Sequence, residues 1–264
     1  MREAGRGRHD GRVAGVLDDR ERELIEATFR VDPEQVVRDH VISHALAAIA
    51  SAGADDVIFF GGTALSRTHL TELRLSEDID LIALGDRRAI ADRIESAVAR
   101  RLQRSLGAVA FTPPLRDTRH PEPSVMQVGD TRIQIQLLAS DGYPAWPTEV
   151  VDIEQRYSDA APAKLRVLTA AAFVASKLSS WSDRQASRDL YDLWAMSERG
   201  LIDAEAVDLF GRLGSYTSAA SVPFTNIPSD AEWNAALSHQ GMIRIGPGDA
   251  AKAVRVAIEA ALER

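Results

Sequence analysis

The sequence of 264 residues contains no cysteine. Disulfide scaffolds, thiolate zinc sites and cysteine nucleophiles are therefore excluded. It has no run of 18 apolar residues, so no membrane-spanning helix is expected. It has no excess of positive charge either: 31 Lys and Arg stand against 39 Asp and Glu, a formal net charge of −8. A protein that coats nucleic acid nonspecifically needs many Lys/Arg–phosphate contacts, so that class is disfavoured, although a local basic groove around an acidic centre is not. The polar, Gly/Arg-rich start lacks the apolar core of a signal peptide. It predicts a flexible segment over residues 1–31, and a cytoplasmic location fits. No internal repeat is present.

What is present is ordinary for a soluble globular chain, with 45% hydrophobic and 27% charged residues. Asp32-Pro33-Glu34 marks a helix start, with a cap and then proline at the first helical position. Val57 to Phe60 reads as a short buried strand, Thr63 to Leu73 as a helix opened by Gly61-Gly62, and Asp78 to Leu84 as a second strand. Asp86 to Leu106 is a long amphipathic helix. Val109–Thr112, Ser124–Val128 and Arg132–Leu138 look like three further strands, the last two joined at Gly129-Asp130. Ser140 to Pro162 is loop-rich, and from Leu168 onward the patterns are mostly helical. Strands and helices mixed first, then helices, predict an α+β fold: a mixed-sheet domain over 32–150 followed by a helical domain over 151–264.

Two segments carry chemistry. Gly61-Gly62-Thr63 is a turn whose backbone N–H groups can cradle phosphate at the start of a helix. Arg74-Leu75-Ser76-Glu77-Asp78-Ile79-Asp80-Leu81 follows it. Period two along a strand puts Asp78 and Asp80 on one side, about 7 Å apart at the backbone. Both carboxylates can then converge on one hard cation, Mg²⁺ or Mn²⁺, held against the phosphate. Arg67 and Arg74 are near enough in sequence to add positive charge. Each piece alone is a common turn or strand edge; the ordered combination is specific. Neither His69 nor His120 belongs to a pair with metal-ligand spacing, and both read as surface or packing residues.

Gly61-Gly62-Thr63-Ala64-Leu65-Ser66-Arg67, together with Arg74 to Leu81, resembles the AbiEii family of nucleotidyltransferase-like toxins, within the DNA polymerase β-type superfamily. A third segment extends the resemblance: Ser176-Lys177-Leu178, then Ser187-Arg188-Asp189-Leu190-Tyr191-Asp192-Leu193. The resemblance implies transfer of NMP from a nucleoside triphosphate to an acceptor, with metal at Asp78 and Asp80. It implies a nucleotide gripped by Gly61, Gly62, Thr63, Arg74, Ser76, Lys177 and Arg188. Asp189 or Asp192 would complete the catalytic set by positioning or activating the acceptor. It also implies an RNA acceptor such as a tRNA 3′ end and a cognate antitoxin. The rival expectations are a protein or small-molecule acceptor, or a nucleotide-binding regulator whose catalysis has lapsed. One departure bears on this choice. Relatives often carry a third acidic residue on a later strand; here that strand offers Gln134 and Gln136, either of which can occupy the slot. A break at Ser182-Asp183 would divide the Lys177–Asp192 stretch into two helices.

Overall fold

The computed structural model describes residues 16–119 and 122–263. Residues 1–15 of the segment expected to be flexible, and His120, lie outside that range. The rest of the segment corrects the expectation, because helix α1 spans Asp19–Phe29. The Asp18 carboxylate caps it, accepting from the backbone N–H groups of Arg20 and Glu21. Only Ile25 and Phe29 of this helix are buried, too few for a periodic signal. They join Val31, Val36, Leu75, Tyr157 and Ala160 in a small satellite core.

Helix α2, Pro33–Gly53, begins where the Asp-Pro-Glu signal places it. It is buried almost all round, so its polar residues Asp39, His40, Ser43 and His44 lie inside the protein. Seven strands follow in chain order: β1 Val57–Phe60, β2 Ile79–Ala83, β3 Val109–Thr112, β4 Ser124–Val128, β5 Thr131–Ala139, β6 Thr148–Ile153 and β7 Ala163–Leu168. They form one sheet in the order β3-β4-β5-β2-β1-β7-β6. Strands β1 and β2 are antiparallel neighbours at its centre, flanked in parallel by β7 and β5. Their buried positions explain their nearly continuous apolar runs. The domain boundary expected at 150 is thereby moved. β6 and β7 complete the sheet, and β7 pairs directly with β1. The proline-rich composition of Ser140 to Pro162 disguised β6 as loop, and β7 lies just beyond that stretch.

The register decides which face carries polar chemistry. Phe60, Asp80 and Gln136 lie side by side across β1, β2 and β5. In the next row Phe59, Leu81 and Leu137 are fully buried and face the opposite way. Helix α4, Arg87–Ser105, packs on α2, which also touches β5 and β7. The helical half comprises α5 Ala170–Arg184, α6 Ser187–Glu198, α7 Ala204–Leu213, α8 Asp230–Leu237 and α9 Pro247–Leu262. α5 packs against α6 and α7, and α6 against α8 and α9. The break between α5 and α6 falls at Gln185, in left-handed conformation at φ 50°, rather than at Ser182-Asp183.

The helix expected over Thr63–Leu73 is shorter: α3 covers only Gly61–Ser66. The backbone beyond it is claimed by other partners. Arg156 donates to the carbonyls of Ser66 (2.6 Å) and Thr71 (3.1 Å), and the Arg67 carbonyl accepts from Glu154 N–H. The Arg67 side chain turns inward to Asp39 at 2.7 Å, where Arg156 and the Tyr157 hydroxyl also converge. Burial pulls the Arg67 guanidinium down to about 10, still charged at neutral pH. Asp39 is therefore the single carboxylate between two buried guanidinium groups. Asp39→Ala should destabilise the protein by about 3–5 kcal/mol, because the cations lose their counter-charge out of water; urea denaturation measures this directly.

Candidate active site

Strand β1 ends at Phe60 and the chain turns at Gly61, with φ +77°. A Cβ at Gly61 would collide with the Asp80 carboxylate, and one at Gly62 would stand 3.0 Å from Arg74 Nη2 and 3.2 Å from Ser76 Oγ. Gly61 is thus required by close approach and by backbone conformation, whereas Gly62 is favoured by close approach alone. The turn and the Arg74–Asp80 segment, read separately in the sequence, are in contact. Thr63 is fully buried, and its hydroxyl donates to the Asp78 carbonyl, fastening α3 to the chain as it enters β2. Ser76 is also buried, beside Gly62.

Asp78 lies just before β2 and Asp80 within it. Burial raises Asp78 above the usual carboxylate range, with Arg188 opposing. Burial and then the Asp78 charge push Asp80 up to about 6, against the more distant pull of Lys177, Arg184 and Arg188. Here two like charges are held together in a half-buried place with too little positive charge to balance them. Paired hard oxygen donors with surplus negative charge fit Mg²⁺ or Mn²⁺. Gln136, not Gln134, is the register partner of Asp80 on β5; Gln134 pairs with Val125 on β4 and is exposed. The neighbour of the carboxylate pair is therefore an amide. Tyr143 also faces the pair. Its ring meets Phe60 edge-on at 5.5 Å, and burial and then the Asp80 charge push its hydroxyl up to about 12.

The downstream residues come together in a chain of charges. Lys177 Nζ lies 3.0 Å from Asp189 and 2.8 Å from Asp192. Arg74 grips Asp192 through Nε and Nη2, both at 2.9 Å, and donates to Gln240 at 2.7 Å. Arg184 takes Asp189 through two bonds of 2.7 and 3.0 Å. Burial alone would raise both carboxyls. Lys177 and Arg184 outweigh it and hold Asp189 at about 2, while Arg74 and Lys177 hold Asp192 down. Arg188 remains half-exposed, 4.0 Å from Glu77.

Four contributors escaped the sequence reading. Glu77 gathers Arg38 at 2.8 Å, His239 at 3.3 Å and Gln240 at 2.8 Å, and Gln240 also accepts from the Leu75 N–H through its backbone. Glu77 stands inside the Arg74–Asp80 motif and was readable there. Arg38 and Gln240 carry no local signal, the second lying in a stretch of weak periodicity. His69 is a packing residue, edge-on to Phe173 at 5.4 Å.

Comparison with known proteins agrees with this geometry. The family model described as Nucleotidyl transferase AbiEii toxin, Type IV TA system, matches residues 44–260. The fold is similar to that of MenT4, a nucleotidyltransferase toxin from Mycobacterium tuberculosis H37Rv. The TM-score is 0.66 at 17% identity, over 92% of this chain and 90% of that one. A provisionally assigned nucleotidyltransferase from H. pylori matches at a TM-score of 0.49 and 14% identity, over 84% of this chain and 95% of that one. No curated protein matches. Among the described residues no helix is long and apolar enough to cross a membrane.

The raised Asp80 carboxyl makes a signed prediction. The folded, metal-free protein binds this proton more tightly than the unfolded chain does, so stability falls as pH rises from about 4 through about 6. Asp80→Asn should stabilise the metal-free protein by up to about 3 kcal/mol at pH 8, with the gain fading below pH 4. Urea denaturation of both proteins in chelator at several pH values tests it.

Proposed function

Because the chain belongs to the AbiEii family of nucleotidyl transferase toxins of type IV toxin–antitoxin systems, we propose that it transfers NMP from a nucleoside triphosphate to an RNA acceptor, a tRNA 3′ end, and releases pyrophosphate. The contact of Gly61 with the Asp80 carboxylate carries this reading. A triphosphate held by the backbone of the Gly61–Gly62 turn would lie directly against the carboxylate pair. Asp78 and Asp80 would hold Mg²⁺ or Mn²⁺, which supplies the charge that neutralises the triphosphate oxygens.

The protein's own groups divide the remaining work. With α3 only six residues long, the phosphate grip rests on turn N–H groups more than on a helix dipole. Arg188, half-exposed beside Glu77, would meet the phosphates. Asp189 and Asp192 act as positioning groups: their oxygens are committed to Lys177, Arg74 and Arg184, which they keep charged and fixed beside Gly62 and Asp80. In the transfer, the acceptor hydroxyl oxygen bonds to the α-phosphorus, the bond from that phosphorus to the pyrophosphate oxygen breaks, and the hydroxyl proton leaves to a carboxylate. A cytoplasmic location and a cognate antitoxin accompany this use.

The amide of Gln136 beside Asp80 favours a second reading, a nucleotide-binding module whose catalysis has lapsed. One experiment separates the two. Purified protein is incubated with each labelled nucleoside triphosphate, Mg²⁺ and bulk tRNA, or with protein and small-molecule acceptors. Transfer of label to tRNA, lost in Asp80→Ala, is the expected outcome. Nucleotide binding with no transfer to any acceptor overturns the enzyme reading, whereas transfer only to protein or a small molecule overturns the RNA acceptor. Gln136→Glu adds a third carboxylate and should tighten Mn²⁺ binding by about tenfold or more. If transfer emerges only in that variant, the natural chain is the lapsed form.

A further inference from the structure

The sequence reading found no histidine pair at metal-ligand spacing, and the fold corrects it. His40 and His44 are four residues apart on α2 and share one face of that helix. Asp159, from the connection between β6 and β7, meets them. His40 Nε2 lies 3.0 Å from Asp159 Oδ2 and 3.1 Å from Oδ1. His44 Nε2 lies 3.1 Å from the same Oδ2, and the two Nε2 atoms are 3.2 Å apart. Side-chain exposures are 2%, 1% and 4%.

These three atoms form a nearly equilateral triangle. Hydrogen bonding accounts for it poorly. If both Nε2 atoms donate to Asp159, two N–H groups crowd each other across 3.2 Å; if one donates to the other, the acceptor has no proton left for the carboxylate. A cation serves all three edges at once. Ligands of a tetrahedral zinc at ~2.0–2.1 Å stand about 3.3 Å apart, within a few tenths of an ångström of this triangle. Two imidazoles with one carboxylate are also the donor set that favours borderline transition ions over Mg²⁺. His44 also lines a cavity of about 580 Å³ between α2 and α4, whose other walls carry Arg93, Arg100, Arg101 and Arg104.

We propose that His40, His44 and Asp159 bind one divalent transition-metal ion, zinc by donor set, at a structural site separate from the carboxylate pair. Its effect follows from its neighbours. The ion ties α2 to the segment carrying Arg156 and Tyr157, which hold Asp39 and the carbonyls that end α3. It therefore stiffens the support beneath the Gly61–Gly62 turn without touching it.

The test uses the full chain, stripped with chelator and reloaded with Zn²⁺ or Co²⁺. One zinc per chain by mass spectrometry, a rise in melting temperature with Zn²⁺ but not with Mg²⁺, and visible absorption bands from the Co²⁺ form are expected. The bands should persist in Asp80→Asn and disappear in His44→Ala. Asp159→Asn, which keeps size and shape, should weaken Zn²⁺ binding by more than the ~10–100-fold seen on losing an outer partner of a ligand; circular dichroism checks that it folds. Wild-type protein that holds no zinc and shows no cobalt bands overturns the proposal. So do bands that survive Asp159→Asn and vanish in Asp80→Asn, which would place the ion at the carboxylate pair.

Discussion

Asp189 and Asp192 sit wholly out of water between Lys177, Arg74 and Arg184, the last reaching in from the surface. Removing so many charges from water is expensive, and a well-packed apolar cluster would stabilise as well or better. What the charges provide is a single answer to how the sheet and the helices meet. Arg74 belongs to the segment entering β2, Lys177 to α5 and both carboxylates to α6. No other relative placement leaves every group with its partner. Gln240 adds the stretch after α8 to the same knot through Arg74, Glu77 and the Leu75 backbone. The cations are nearly consumed in this junction, so Asp78 and Asp80 keep an excess of negative charge. The buried cluster and the carboxylate pair are two sides of one balance.

The parts that could be read in the sequence are those whose geometry is local. A Gly-Gly turn after an apolar strand, two aspartates two residues apart, and Lys177 with Asp189 and Asp192 each need only one turn or one strand to interpret. The glycines carry more information than expected, since each is fixed by a specific side chain from the other motif: Asp80 against Gly61, Arg74 against Gly62. What could not be read depends on distant pairing. β6 and β7 become strands because β1 has an open edge for them, not because of their composition. α3 stops at Ser66, where Arg156, far along the chain, takes the last helical carbonyl. The choice between Gln134 and Gln136 is a matter of register between β2 and β5, which no local pattern encodes. The spacing of His40 and His44 was visible, but without Asp159 it amounts to two histidines on a buried helix.

Two sets of buried polar groups thus bracket the glycine turn. Above it lie the carboxylates and their cation-bound neighbours. Beneath it Asp39, Arg67, Arg156 and Tyr157 fix the chain that leaves α3, with the His40–His44–Asp159 triangle alongside. Polar interiors of this kind specify one arrangement of a loop that has little apolar surface of its own.

The insertion of β7 beside β1 also has a consequence for the order of events on the ribosome. The glycine turn, Asp78 and Asp80 emerge early, yet β1 has an unpaired edge until residue 168 has been made, and Arg74 lacks its bidentate partner until Asp192 follows. Gln240 comes later still. A partly synthesised chain carries every residue of the carboxylate motif but lacks the strand and the ion pairs that complete the framework around it.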